Sequence, residues 1–114
     1  MTDTLKETKF SNQAVLFACG GIKKVAKQFA DMLKYCKNKH LHIIDVFFET
    51  STLKAYERAN VNKLIDYLKH NKVKIAVVFY NKKDFYQLIP SRKIKPFIDN
   101  DKIEIHFAKD NIIL

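Results

Sequence analysis

The chain contains few of the residue types that mark secreted, disordered or membrane-spanning proteins. Its 114 residues include two Gly, two Pro, two Cys and no Trp. So few glycines and prolines leave little room for linkers or disorder, and two cysteines are too few for a disulfide scaffold. No apolar run approaches the roughly 18 residues of a membrane-spanning helix, and residues 1–13 lack the apolar segment of a secretory signal. We therefore expect a one-domain, cytoplasmic protein with no membrane partner.

Arginine is also scarce, although the chain is strongly basic. The 21 basic and 12 acidic residues give a formal net charge of +9, which favours polyanions such as nucleic acid as partners. The lysines are spread along the chain, however, and only Arg58 and Arg92 are arginines. A composition rich in Lys, Asn and Ile also results from an AT-rich genome, so charge alone leaves nucleic-acid binding open.

The hydrophobic pattern predicts strands that alternate with helices. Apolar side chains recur at three- and four-residue steps in two helical stripes, the second with Asn60 as its N-cap, and Pro90 ends a short third helix. One more helical turn is expected after Pro90. The first stripe consists of Ile22, Val25, Ala26, Phe29, Met32, Leu33 and Cys36, and the second of Val61, Leu64, Ile65 and Leu68. The predicted strands are residues 13–19, 41–49, 74–80 and 102–108.

This order of elements predicts an α/β fold. We expect a three-layer domain with a mainly parallel four-stranded sheet and helices on both faces, preceded by a flexible N-terminal arm over residues 1–12. The carboxyl ends of parallel strands share one edge of the sheet, where ligands commonly bind. Three segments should therefore gather there, namely Cys19-Gly20-Gly21, Glu49-Thr50-Ser51 and Asn81-Lys82-Lys83.

The turn after the first strand offers a thiol and two glycines. A helix N-terminus favours the thiolate form of Cys19, but Val25 stands where a phosphatase loop has Arg, and Ile22 where a redox pair has its second Cys. A buried, inert thiol is the preferred interpretation. The glycines lack the spacing of known phosphate loops, although backbone N–H groups with Lys23 and Lys24 could hold a phosphate. The alternative is a tight turn that needs small residues.

The histidines and carboxylates give no further site. His40, His42 and His106 are spaced to lie on strands, with the first two on one face, but no cluster of cysteines or carboxylates completes a ligand set. Asp45 and Glu49 have no fixed partner for acid–base catalysis. We therefore predict no metal site and no cofactor.

Four segments from Gln13 to the end of the chain carry a resemblance to a known family. "AVLFACGG" resembles a first strand written A-x-x-Y-x-R-V-S, and "VFFETSTLKAYERANVNKLIDYLKHNKVKIAVVF" resembles F-x-D … R-x-x-F-x-x-[ML]-[LI]-x-x-[LI]-K … I-x-x-[IV]-[LV]-V. "NKKDFYQL" occupies the place of D-R-L-x-R, and "KIEIHFAKDNIIL" resembles G-[VI]-E-[IL]-H-F-V-K-E-N. In this order the segments resemble the catalytic domain of serine recombinases, the resolvase/invertase group, which implies the same three-layer fold.

In that family a serine hydroxyl attacks a DNA phosphodiester to form a phosphoserine link, while arginines stabilise the phosphoryl charge. The resemblance puts Gly21 in place of the serine and Cys19 in place of the arginine two residues earlier. Lys82 and Lys83 replace an Asp-Arg pair, and Tyr86 replaces a later arginine.

Arg58 keeps the family's arginine, and Gln28 matches a family glutamine on the first helix. The resemblance implies phosphate contacts by Arg58 and Lys83, beside those that the helix start suggests for Lys23 and Lys24. Of the three serines in the chain, only Ser51 is predicted to approach this site. One hydroxyl without an arginine cluster would react orders of magnitude too slowly, because a single electrostatic contact contributes about 10²–10³ in rate.

The resemblance therefore implies a catalytically inactive homologue of the recombinase catalytic domain, derived from a mobile element, with DNA, a recombinase or a second copy as its partner. Residues 13–114 are expected to form this fold without the family's long dimerisation helix and DNA-binding domain. Two other hypotheses stay open. One is a non-specific nucleic-acid-binding module that uses scattered lysines with Tyr80, Phe85 and Tyr86. The other is a small-anion or nucleotide-binding protein that uses the Cys19-Gly20-Gly21 turn.

Overall fold

The computed structural model describes residues 10–49 and 59–114, which form five strands and four helices. Within these two ranges, none of the helices combines the length and apolarity that crossing a membrane requires. In chain order the elements are β1 (Phe10–Cys19), α1 (Ile22–Asn38), β2 (His42–Glu49), α2 (Ala59–His70), β3 (Lys74–Phe79), α3 (Lys82–Leu88), α4 (Ser91–Asp99), β4 (Ile103–Phe107) and β5 (Ile112–Ile113).

The sheet has the strand order β2-β1-β3-β4-β5. The first four strands in that order are parallel, and β5 pairs antiparallel with β4. The α/β class and the mainly parallel sheet are confirmed, but the described part of the chain has five strands instead of the four predicted. The fifth was missed because β5 is only two residues long and follows a turn marked by neither Gly nor Pro.

The two faces of the sheet carry separate apolar clusters, as the alternation of side chains along a strand requires. One face of β1 presents Val15 and Phe17 to a cluster shared with α2, α3 and α4. The other face presents Ala14 and Leu16 to a cluster shared with α1. Helices on both faces of the sheet confirm the three-layer arrangement.

Helix α1 packs on its face of the sheet with a stripe that differs from the prediction. Met32 and Cys36 are buried as expected, but Leu33 is 39% exposed. Tyr35 and Gln28 are buried instead. Gln28 can be buried although it is polar, because its side chain accepts a hydrogen bond from β1. The buried stripe of α1 is therefore displaced from the predicted stripe.

Element boundaries also differ in places. The N-cap prediction for Asn60 is wrong, because Asn60 lies inside α2 and its N–H donates to Glu49 Oε2 at 3.1 Å. Pro90 separates α3 from α4 as predicted, but α4 has nine residues rather than a single turn. Strand β1 begins at Phe10, three residues earlier than predicted, and the rest of the predicted N-terminal arm lies outside the described residues.

Candidate functional site

The carboxyl edge of the sheet begins at the turn after β1. The N–H of Gly20 donates to the carbonyl of Glu49 at 3.0 Å, so the turn is tied to the end of β2. Gly20 has a φ of +127°, a backbone conformation that L side chains rarely adopt. A Cβ at this position would also lie 3.0 Å from Cδ of Lys24, whose side chain runs over the turn.

Gly21 occupies a different environment although it is the next residue. It is the N-cap of α1, with φ −71° and ψ 168°, which is an ordinary extended conformation. Apart from its chain neighbours, no heavy atom of the described residues lies within 4 Å of the position that its Cβ would occupy. A side chain at Gly21, the place where the resemblance expects serine, therefore meets neither steric conflict nor backbone strain.

Cys19 and Gln28 form a buried contact beneath this turn. Cys19 is 5% exposed, in agreement with the buried-thiol interpretation, and its N–H donates to Gln28 Oε1 at 3.2 Å. Gln28 is 2% exposed, and its Nε2 has no hydrogen-bond partner in the described part of the chain. Cys36 lies on the opposite face of the sheet, where burial raises the pKa of its thiol to about 11.

Glu49 closes the edge at the end of β2. Its side chain is buried, and Oε2 accepts hydrogen bonds from the N–H groups of Asn60 and Val61 at 3.1 and 3.3 Å. An acidic side chain that accepts from the first N–H groups of a helix acts as its cap. The carboxylate of Glu49 thereby helps to hold the start of α2.

The exit of β3 brings lysines to the same edge. Asn81 caps α3, because its side chain accepts from the N–H of Asp84 at 2.8 Å, and Lys82 and Lys83 are exposed in the first turn. Burial raises the pKa of Asp84, and the positive charges of Lys24, Lys83 and Lys109 oppose that rise. The charges of these three lysines thus act on one carboxyl group, although the lysines come from α1, α3 and the turn after β4. We call them the edge lysines.

The structure thus brings together part of the predicted constellation. Cys19, Gly20 and Gly21 meet Glu49 through a hydrogen bond, and Lys24 and Lys83 meet around Asp84. Lys23 is exposed on the first turn of α1. Arg58, Thr50 and Ser51 lie outside the described residues.

The aromatic residues near the exit of β3 have three different environments. Phe85 is buried, Tyr80 is half-buried and Tyr86 is 64% exposed. The Phe85 and Tyr86 rings lie 5.0 Å apart with an interplanar angle of 69°. The sequence favours core or half-buried packing for these aromatics over a role in binding, and the structure shows such packing for Phe85 and Tyr80 but not for Tyr86.

The histidines do not form a cluster. His40 has a φ of +58° in the turn before β2, so its predicted strand position is wrong, and His42 is exposed at the start of β2. His106 is buried on β4, with Nδ1 at 2.7 Å from the Tyr35 hydroxyl and Nε2 at 2.9 Å from Glu104 Oε1. Across residues 10–49 and 59–114, no group of three metal-ligating side chains comes together.

The arrangement at the described part of the edge can attract an anion. Lys24 provides positive charge in the first turn of α1, whose backbone N–H groups are oriented towards anions. Gly21 supplies no hydroxyl. The resemblance singled out Gln28 as a match to a family glutamine, but it predicted no contact for this side chain. A polar residue in line with Val25, Phe29 and Met32 is the signal that could have shown it independently.

Comparisons with known proteins identify the fold. The N-terminal catalytic domain of TP901-1 integrase superposes with a TM-score of 0.68 at 18% sequence identity, over 89% of this chain and 80% of that chain. The C-terminal catalytic domain of ISC1926 TnpA, an IS607-like serine recombinase, also has a TM-score of 0.68, at 16% identity over 84% of this chain and 67% of that chain. No protein-family model and no curated protein matches the chain. The described residues have the fold of a serine recombinase catalytic domain.

Proposed function

We propose that this protein is a catalytically inactive homologue of the serine recombinase catalytic domain that contacts DNA through the lysines of its carboxyl edge. The observation that carries the proposal is Gly21. It occupies the N-cap of α1 at the place where the resemblance expects the nucleophilic serine, and it has an ordinary backbone conformation with open space around it. The fold therefore does not require glycine here, and the position has lost a hydroxyl that it could accommodate.

The other serines of the described residues cannot take over this role. Ser11 lies near the start of β1, at the opposite end of the strand, and its hydroxyl donates to the carbonyl of Lys74 at 2.7 Å. Ser91 begins α4, beyond Pro90. A nucleophile must stand within hydrogen-bond reach of its base and close to the groups that stabilise the developing charge.

Lysines replace the arginines that the resemblance expects around the phosphoryl group. A lysine ammonium is a compact point charge, whereas a guanidinium donates two parallel hydrogen bonds to one phosphate. The edge lysines are suited to attract a phosphate and less suited to hold a transferring phosphoryl group in line. This difference supports DNA contact without strand cleavage, in a cytoplasmic protein whose partner is DNA, a recombinase or a second copy.

A cleavage assay tests the inactivity. The protein is incubated with negatively supercoiled plasmid in glycerol-containing buffer, the reaction is stopped with detergent, and covalent adducts and nicked circles are resolved on gels. We expect neither product. A protein–DNA adduct or a nicked circle above the level of a no-protein control would contradict the proposal.

The variant Gly21→Ser separates the missing hydroxyl from the missing arginines. We expect it to fold normally and still to form no adduct, because the restored hydroxyl would lack the arginines that stabilise the phosphoryl charge. Each such contact contributes a factor of about 10²–10³ to the reaction rate. An adduct formed by this variant but not by the parent protein would mean that the missing hydroxyl alone accounts for the inactivity of the parent. The variant Gly21→Ala has the same Cβ without a nucleophile and is the matched control.

A further inference from the structure

A cleft of about 400 Å³ opens beside the edge lysines, on the face of the sheet that α1 covers. It lies between the C-terminal half of α1 and the residues that follow β3 and β4. Its volume falls within the range of small-ligand sites, about 300–1,000 Å³. The residues that matter for its chemistry are Asp31, Lys34, Tyr35, Lys39, Tyr80 and Lys109.

Tyr80 presents an aromatic surface in this cleft. Its ring is half-buried, and its hydroxyl donates to Asp31 Oδ2 at 3.4 Å. Lys109 Nζ lies over the ring, 6.0 Å from the centroid. A cation–π contact this exposed is weak, so the lysine can leave the ring for a stronger partner such as a phosphate.

Tyr35 forms a rigid second aromatic wall. Its ring is 6% exposed, and its hydroxyl lies 2.7 Å from His106 Nδ1, while His106 Nε2 lies 2.9 Å from Glu104 Oε1. One proton assignment satisfies both contacts, in which Tyr35 donates to Nδ1 and Nε2–H donates to Glu104. Lys39 Nζ lies 5.8 Å from the centroid of the Tyr35 ring. The hydrogen-bonded chain from α1 to β4 fixes this wall before any ligand arrives.

The charges around the cleft favour an anionic ligand. Lys34, Lys39 and Lys109 supply three positive charges, whereas Asp31 supplies the one carboxylate that faces the same space among the lining residues. Asp31 accepts from Tyr80, and an exocyclic amino group of a base could donate to it as well. These groups match the parts of a nucleotide. The tyrosine rings suit the base, the three ammonium groups suit the phosphate, and the Asp31 carboxylate suits an amino group of the base.

We propose that this cleft binds one unpaired nucleotide, with the base stacked on Tyr80 and the phosphate held by Lys34, Lys39 and Lys109. Aromatic stacking tolerates any base, and lysines track the phosphates of a single strand. The proposal goes beyond DNA contact at the carboxyl edge, because a paired base in a duplex does not expose its face to a protein ring. Free nucleotides and a single strand share this chemistry.

Binding to labelled oligonucleotides tests the proposal. We expect the protein to bind a fluorescein-labelled single strand of thymidines, and Tyr80→Ala to weaken that binding by about 5- to 150-fold, the range found for loss of one stacked base. The same variant should change binding to a hairpin duplex by less than about twofold. Tyr80→Phe keeps the ring and should retain binding within a few fold of the parent.

Lys69→Ala is the matched control for charge, because Lys69 is an exposed lysine of α2 on the other face of the sheet. It should leave single-strand binding nearly unchanged, whereas Lys109→Ala should weaken it. If Tyr80→Ala were to impair folding, nuclear Overhauser effects between thymine protons and the Tyr80 ring in the parent protein would still decide the question. Their presence supports stacking on Tyr80.

Thymidine monophosphate added as a competitor distinguishes the two sources of the ligand. Displacement of the strand at millimolar concentration indicates that a free nucleotide suffices, and its failure indicates that neighbouring phosphates of a strand are needed. Either result is compatible with the cleft. The proposal is overturned if Tyr80→Ala binds the single strand as tightly as Lys69→Ala does, or if ring–base Overhauser effects are absent at saturation.

Discussion

Gly20 and Gly21 follow β1 as neighbours but have unlike backbone conformations, with φ of +127° and −71° respectively. A Cβ at Gly20 would be strained and would crowd Lys24, whereas a Cβ at Gly21 would lie in open space. We expect Gly20→Ala to lower the free energy of unfolding by about 1–3 kcal/mol. Gly21→Ser should change it by only a few tenths of a kcal/mol, because serine is also a favourable N-cap.

Urea unfolding followed by circular dichroism measures both changes. The two variants are each other's control, since they alter adjacent residues of the same turn. Equal losses of stability at the two positions would contradict the distinction between a glycine that the turn requires and a glycine that it tolerates.

The local environment of Asp84 changes the pKa of its carboxyl and therefore the pH dependence of stability. Burial raises the pKa of its carboxyl above the usual Asp value of 3.8, against the pull of Lys24, Lys83 and Lys109, and Oδ2 has no hydrogen-bond partner among the described residues. Below the unfolded pKa both states are protonated and Asp84 costs no stability. As the pH rises through that value the unfolded chain ionises first, so stability falls until the pH passes the folded pKa.

The variant Asp84→Asn removes this titration. We therefore expect it to gain stability relative to the parent as the pH rises from about 3 to about 7, measured by urea unfolding at several pH values. Asp45→Asn, at an exposed carboxyl that accepts from the N–H of Val46, is the control. A relative gain for Asp84→Asn that is largest at acid pH would contradict the argument.

At the scale of elements, Glu49 joins the end of β2 to the start of α2. Replacement by alanine leaves the N–H groups of Asn60 and Val61 without their acceptor and should cost about 1–3 kcal/mol. Glu49→Gln keeps an acceptor oxygen and should cost less. Urea unfolding gives the total, and hydrogen exchange should show faster exchange at those two amides.

Asp99→Asn is the contrasting control for Glu49. It breaks an exposed pair with Lys95 at 3.0 Å and should change stability by less than about 1 kcal/mol. If Glu49→Ala were no more destabilising than Asp99→Asn, the cap would contribute nothing to the joint between β2 and α2.

Strongly periodic elements could be predicted from the sequence, whereas contacts between elements could not. Strand β3 is an unbroken apolar run, so its burial was evident, and the resemblance to serine recombinases led to the correct fold. The sequence predicts Asn60 as a cap because an asparagine side chain can cap a helix. The actual acceptor is Glu49, which is 11 positions away in the sequence. No pattern of neighbouring residues in the sequence indicates a hydrogen-bond partner that is so distant along the chain.

The candidate site was predictable to the same extent. Topology alone places the ends of β1, β2 and β3 at one edge, and in the structure a hydrogen bond between Gly20 and Glu49 joins two of them there. Lys109 and Asp84 were not anticipated, because they join the site only through the turn after β4 and the first turn of α3. Charge clusters of this kind depend on tertiary proximity, and in the sequence the lysines look evenly spread.

At the scale of the whole molecule, helices cover both faces of the sheet, and the parallel strands bring their carboxyl ends to one edge. The strand order reverses at β1, since β2 lies on one side of it and β3 on the other. The connection after β1 therefore crosses one face of the sheet and the connection after β3 crosses the other. This divergence leaves a crevice between the two carboxyl ends. The edge lysines lie beside this crevice, which gives a chain of net charge +9 one place where positive charge is concentrated.

The salt dependence of duplex binding tests whether that concentration matters. Each lysine–phosphate contact releases a counterion and adds about 0.9 to the slope of log K against log salt concentration. We expect Lys24→Ala with Lys83→Ala to lower this slope by about 2 between 50 and 200 mM NaCl. The control, Lys69→Ala with Lys72→Ala, removes the same charge from exposed positions at the end of α2 and before β3. A contact between DNA and the carboxyl edge requires that Lys24→Ala with Lys83→Ala lower the slope more than the control does. Equal slopes for the two double variants would therefore mean that duplex binding depends only on the overall charge of the protein.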